Sequence, residues 1–289
     1  MGKDKHVLNK KRRTVLSVII RYAILAAVGI VMVYPMLWMV GASLKQDNNE
    51  IFATISFLPK RPSFAAYAAG WTATGYNFGL FMINTYKVVI PKVIFTLIST
   101  TITAYGFARF NFLGKKFLFG VLMSTLFLPQ VVLNIPQFLL FTQLGWVDTY
   151  KPLIIPTLFA NEPYFVFMLI QFMRTVPKEL EEAAEIDGCN MFQRLVYIIV
   201  PVVKPAIVSC GLFQFMWSSN DFQGPLIYIN TVLKYPASLG LRLIADSETG
   251  FEWNKILALS VISIIPTLIV FFMAQDQFID GIAAGGVKG

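Results

Sequence analysis

The chain has 289 residues, 56% hydrophobic and 14% charged, with a formal net charge of +8 and a mean hydropathy of +0.64. Soluble domains carry about 25% charged and about 45–50% apolar residues, so a solvated surface cannot be built from this composition. It also excludes intrinsic disorder, collagen, a coiled coil and a disulfide-stapled secreted module, and leaves a polytopic membrane protein whose basic residues mark cytoplasmic loops and not a nucleic-acid surface.

The run Lys10-Lys11-Arg12-Arg13 precedes an apolar stretch from Tyr22 to Val40. A secretory signal has a shorter apolar core of about 7–15 residues, so the stretch reads as a retained first span. His6 lies in the basic tail and reads as a solvated side chain. Six segments approach the roughly 20 apolar residues a membrane helix needs: 16–41, 83–107, 117–141, 153–173, 205–222 and 256–275. The expected fold is all-α, six transmembrane helices over residues 16–275, with cytoplasmic tails at 1–15 and 276–289. With the N-terminus inside, the inner segments hold fourteen basic residues and the outer ones seven, which predicts both termini inside. Lys87, Pro91 and Lys92 interrupt the outer half of the second span, so that half is expected to face protein or a cavity. The long outer segments 42–82 and 223–255 read as ordered caps. Cys189 and Cys210 have no CxxC spacing and are expected to be free thiols.

The inner segment 174–204 is the informative one. Five acids, Glu179, Glu181, Glu182, Glu185 and Asp187, fall within nine residues. Pro177 suits a first helical turn, and acids there oppose the helix dipole. Gly188 can end that helix in a left-handed conformation. Asn190 with Gln193 can cap a second helix, which runs towards Pro201. Ala183, Ala184 and Gly188 offer a surface of little bulk that a partner can approach closely.

The spacing Glu182-Ala183-Ala184, Gly188, Ile198 and Val200-Pro201 resembles the EAA loop of bacterial ABC importer permeases, with Val-Pro where that pattern has Leu-Pro. The ending Gly281 to Gly289 is similar to the tail of the maltose-type carbohydrate permeases. Asn84-Thr85, the stretch Ala104-Tyr105-Gly106-Phe107-Ala108-Arg109, and Trp217 to Phe222 with Gly224-Pro225-Leu226 also resemble that group. The resemblance implies a permease of the cytoplasmic membrane, one of two membrane subunits in a heterodimer. It further implies two ATPase subunits, an extracytoplasmic solute-binding protein and a sugar substrate. Glu182, Ala183, Ala184, Asp187, Gly188 and Pro201 would lie at the ATPase contact. Gly285, Gly286, Lys288 and Gly289 match a tail that reaches the ATPases. An outer loop that inserts into the binding protein would fall near Asp246 to Gly250. No cofactor is expected on this chain: it has no G-x-x-x-x-G-K-[ST] loop, and ATP and Mg would sit on the partner ATPases.

Candidate substrate-path residues come from the residues themselves. Gln130, Asn134 and Gln137 share one helical face, as a sugar path or as a polar stripe joining two helices. Glu162 falls near the middle of the fourth span, where an ionised acid is costly unless paired or wetted. It faces a central cavity, or pairs with a cation such as Lys87 or Lys92 or one on the partner subunit; alternatively it is a protonated acid in a helix contact made irregular by Pro163. Asn220 and Asp221 end the fifth span and face either the path or the headgroups. Trp217 is the candidate sugar platform. The competing classes are a permease for a non-sugar solute and an ion-coupled secondary transporter, which usually shows intramembrane acids and internal repeats.

Overall fold

The computed structural model describes the backbone of residues 2–53, 56, 58–246 and 252–286, and side chains within 17–277 of that range. All regular structure among the described residues is helical. Four helical stretches are long and apolar enough to cross a membrane: Ser17–Ser43, Phe78–Arg109, Lys151–Thr175 and Trp253–Gln277. Two bent helix pairs bring the total to as many as six. The chain divides into two compact units, Met1–Gly70 with Ile244–Val261, and Trp71–Leu243 with Ile262–Gly289.

In the first unit, helix α1 runs Gly2–Ser43 without a break at residue 16, so the basic tail continues the span. Its apolar side chains from Val18 to Val33 are exposed, as a lipid-facing helix requires. Two short helices follow, α2 (Asn48–Ala53) and α3 (Ala65–Trp71). Ser43 Oγ bonds Tyr67 Oη at 2.8 Å, and the Ser63 amide donates to the Leu44 carbonyl at 2.9 Å. These bonds hold residues 43–44 against Ser63 and Tyr67.

The second unit is built around α4 (Phe78–Arg109), which is continuous through Pro91. Two of its hydroxyls bond back to its own carbonyls, Thr100 Oγ1 to Thr96 at 2.6 Å and Thr85 Oγ1 to Phe81 at 3.0 Å, while Thr96 Oγ1 is buried without a partner among the described residues. Such bonds let polar residues sit in an apolar helix without orphan groups.

The expected third span, 117–141, is not one straight helix. It forms α5 (Lys115–Thr125) and α6 (Gln130–Gln143), bent by 103°. Pro129 has no amide hydrogen to continue α5 and pushes Leu128 away from helical angles. A short α7 (Lys151–Ile154) leads through a 3-10 turn, Ile155–Phe159, to α8 (Pro163–Thr175). Glu162 therefore does not sit inside a continuous helix. It stands at a break, after Ala160 in the left-handed region (φ 51°) and before Pro163. The same proline effect accounts for the break.

Three further short helices follow α8. They are α9 (Glu179–Ile186), α10 (Met191–Arg194), and, after a π turn at Leu195–Ile199, α11 (Val200–Val202). Helix α12 (Lys204–Ser219) leaves at 80° to that run. The core joins Ala104 of α4, Phe165, Leu169 and Met173 of α8, Ile199, and Ala206 and Cys210 of α12. Outside α12 lie α13 (Gln223–Tyr228) and α14 (Ala237–Ala245). Asn84 Nδ2 donates to the Leu233 and Tyr235 carbonyls at 2.8 and 3.1 Å, and the Ala237 amide donates to Thr85 Oγ1 at 2.9 Å. The Asn84-Thr85 pair thus pins the 233–237 segment to α4. The last helix, α15 (Trp253–Gly286), has no break at residue 276.

Candidate functional site: an inner elbow and a polar cavity

The elbow forms as its local signals demand. Gly188 has φ +87°, and its amide donates to the Glu185 carbonyl at 3.0 Å. The Asn190 side chain accepts from the Gln193 amide at 2.9 Å, and Gln193 Oε1 accepts from the Asn190 amide at 2.8 Å. The reciprocal pair satisfies two amides that a helix start leaves free. Pro177 stands just before α9 and Lys178 takes the capping position. Glu185 pairs with Arg194 and ties α9 to α10 across the glycine.

Helix α9 has two faces. Glu182, Ala183, Asp187 and Gly188 are exposed, and Ile186 is 87% exposed. Ala184 is 6% exposed and turns towards the chain, together with Glu181. The small side chain of Ala184 therefore serves packing within the chain, and the open low-bulk surface reduces to Ala183 and Gly188. Pro201 is exposed beyond the π turn. A π turn inside an α-helical run leaves the Val200 amide bonded five residues back, to Leu195.

A cavity of about 900 Å³ opens between α4, α5, α6, the 151–163 segment and α13. Gln130, Asn134 and Gln137 all line it, so their shared face is the wall of a cavity. Glu162, Asp221 and Lys92 line it too. Lys92 pairs with Asp221, Nζ to Oδ2, at 3.8 Å, and Asp221 Oδ1 accepts from the Gly224 amide at 3.0 Å. Lys92 is thus the cation near Glu162, whereas Lys87 turns to Asn84 Oδ1 at 3.4 Å. Asn220 caps α12 through the Met216 carbonyl at 2.8 Å and lies outside the wall. Trp217 also lies outside it, stacked on Phe165 with centroids 5.1 Å apart. Tyr164 supplies an aromatic lining instead. Its place next to Pro163 was the only clue in the sequence.

No group of three or more metal-ligating side chains occurs among the described residues. Both cysteines are free, and Cys210 is buried. Gly285 and Gly286 end α15. Lys288 and Gly289 lie outside the described residues, as do Ser247 to Gly250 of the outer loop.

Several membrane-length apolar helices, a helix-glycine-helix elbow and a polar cavity are what a membrane permease presents. The family model for "Binding-protein-dependent transport system inner membrane component" matches residues 98–283, and the chain belongs to that family. It is an inner-membrane transport subunit, not an enzyme. The chain is 29% identical to the galactooligosaccharides transport system permease protein GanQ of Bacillus subtilis, covering 96% of this chain and 98% of GanQ. It is 30% identical to the arabinooligosaccharides permease AraQ of Halalkalibacterium halodurans, over 91% of this chain and 94% of AraQ. A solved bacterial ABC transporter involved in import of the acidic polysaccharide alginate shares the fold. Its TM-score is 0.77 at 22% identity, covering 91% of this chain and 96% of that one.

Proposed function

We propose that the chain is the permease subunit of an ATP-driven importer of a sugar or oligosaccharide. The observation that carries this reading is the near full-length likeness to oligosaccharide permeases such as GanQ and AraQ. The cavity chemistry supports it: five amides, among them Gln130, Asn134 and Gln137, and two tyrosines offer hydrogen bonds and ring faces to hydroxyl-rich solutes. The six spans are α1, α4, the bent pair α5–α6, the broken stretch 151–175, α12 and α15. Both termini lie inside, as the excess of basic residues on that side favours.

The elbow is the mechanical joint. The exposed face of Glu182, Ala183, Asp187 and Gly188 docks on an ATPase subunit, with Pro201 at its far end. The tail residues Gly285, Gly286, Lys288 and Gly289 reach the same neighbour. A second permease subunit, two ATPases holding ATP and Mg, and a solute-binding protein complete the complex. Nucleotide and the loaded binding protein bias two arrangements of one bundle. Glu162, Gln130, Asn134, Gln137 and Asp221 line the path; Trp217 and Asn220 stand beside it.

The test is the complex reconstituted with its ATPase and binding-protein partners and challenged with a panel of oligosaccharides. Stimulated ATP hydrolysis with at least one sugar is expected. Uptake that follows an ion gradient, with no ATPase retained on the purified chain, overturns the reading. A cysteine at Ala183, on the exposed face, is expected to crosslink to the ATPase.

A further inference from the structure

The Ala104–Arg109 stretch ends α4 beside the elbow. Arg109 Nε lies 2.5 Å from Glu181 Oε1. Arg109 Nη2 donates to the Val176 carbonyl at 2.9 Å, and Tyr105 Oη donates to Glu181 Oε2 at 2.9 Å. Both charged side chains are buried, 6% and 11% exposed. A buried ion pair is weak glue, because desolvation consumes most of its Coulomb attraction and apolar side chains of equal volume hold as well. Its distinctive property is direction. Arg109 holds the Val176 carbonyl and the Glu181 carboxylate together while the Tyr105 hydroxyl holds the other carboxylate oxygen, so the three side chains fix α9 against the end of α4.

Helix α9 has few other ties. Among the described residues, this cluster is its only side-chain polar link to a long apolar helix, since Glu185 goes to α10. Helix α4 then runs back from Arg109 to Lys92 with no proline between, about 26 Å at 1.5 Å per residue. Lys92 sits in the cavity wall beside Asp221.

We infer that Glu181, Arg109 and Tyr105 form a latch that makes α9 and α4 move as one body, so that displacement of the elbow reaches Lys92 in the cavity. Glu181 and Arg109 are positioning residues, which act through α4. The inference rests on the elbow being the ATPase contact. It adds that the inward face of α9 transmits what the outward face receives.

The experiment uses the reconstituted complex with Glu181→Gln, Arg109→Gln, the charge swap Arg109→Glu with Glu181→Arg, and Tyr105→Phe. Three quantities are read: ATPase subunits retained per permease, ATP hydrolysed, and solute transported per ATP. The outward face is untouched, so the ATPases stay bound. Transport per ATP falls about tenfold in the single charge variants, inside the roughly 5–150-fold range of coupling free energies. The swap regains at least about a third of it, the signature of a pairwise interaction. Tyr105→Phe removes one hydrogen bond and no charge, and lowers the ratio about threefold. It decides the matter by itself if the charge variants do not fold. A transport-to-ATP ratio within about twofold of wild type in every variant that assembles overturns the latch. So does a loss of ATPase binding in parallel with transport, which marks a structural anchor only. Failure of the underlying reading registers elsewhere: the wild-type chain then retains no ATPase subunit.

Discussion

Replacing Asn84 by alanine removes both donors that hold the 233–237 segment to α4. The side chain is 2% exposed, and its amide serves two carbonyls, Leu233 and Tyr235. Each buried acceptor left without a donor costs about 1–3 kcal/mol. Tyr235 is half-buried and Leu233 exposed, so water reaches part of the deficit and the low end applies. The expected loss is about 2 kcal/mol, which at about 2–4 °C per kcal/mol lowers the unfolding midpoint by about 4–8 °C. The assay is thermal unfolding of the purified chain in detergent, followed by tryptophan fluorescence. Asn84→Asp is the second arm. It keeps the shape, removes the donors and places a carboxylate against two carbonyl oxygens, so it must lose more than alanine does. A drop below about 2 °C in both variants refutes the assignment of these hydrogen bonds as the pin.

Gly240→Ala drives a Cβ into Cδ2 of the fully buried Phe81. Overpacking of about 1–3 kcal/mol outweighs the helix-propensity gain of just under about 1 kcal/mol, so Tm falls, and a Phe81→Leu background relieves most of the loss. Gly188→Ala meets open space, so its cost is backbone strain alone, about 1–2 kcal/mol, read as a lower Tm and smaller for Gly188→Asn. On the outer side, Asp148 accepts from Lys234 Nζ, from the Thr231 hydroxyl and amide, and from the Asn230 amide. The Lys234 ammonium first, then the Thr231 donors, hold its carboxyl well below the usual carboxylate range. A lowered folded-state pKa means the contribution is complete above about pH 4 and fades as acid protonates the folded form below that. Asp148→Asn is therefore expected to speed hydrogen exchange at Thr231 about fivefold at neutral pH, roughly 1 kcal/mol after solvent screening. Equal rates in the two proteins dispose of the idea. In a Cys189→Ser background, Ala183→Cys reacts with a maleimide much faster than Ala184→Cys, and matching rates contradict the two-faced α9.

How much was legible varied with how local the cause was. The elbow could be read directly, because Gly188, Asn190 and Gln193 act on backbone groups within three residues of themselves. The shared face of Gln130, Asn134 and Gln137 was legible for the same reason, a helical period. What lines a cavity was harder. Trp217 has the chemistry of a sugar platform, yet it packs on Phe165 while Tyr164 takes the wall. An aromatic side chain carries no mark of which neighbour it will meet.

Composition and hydropathy alone determined the solvent of this protein and its helical architecture, because a backbone in hydrocarbon must satisfy its own hydrogen bonds. They could not decide how far a proline bends an apolar run. Pro91 leaves α4 continuous, whereas Pro129 turns the chain by 103°. Nor could they pair residues distant in sequence. Tyr105 meets Glu181 across 76 positions, and Asn84 meets Leu233 across 149. Apolar surface against lipid and apolar surface against protein look alike in a sequence. Only the packing of one helix on another decides which face is inside, and with it whether Glu181 is a solvated acid or the buried partner of Arg109.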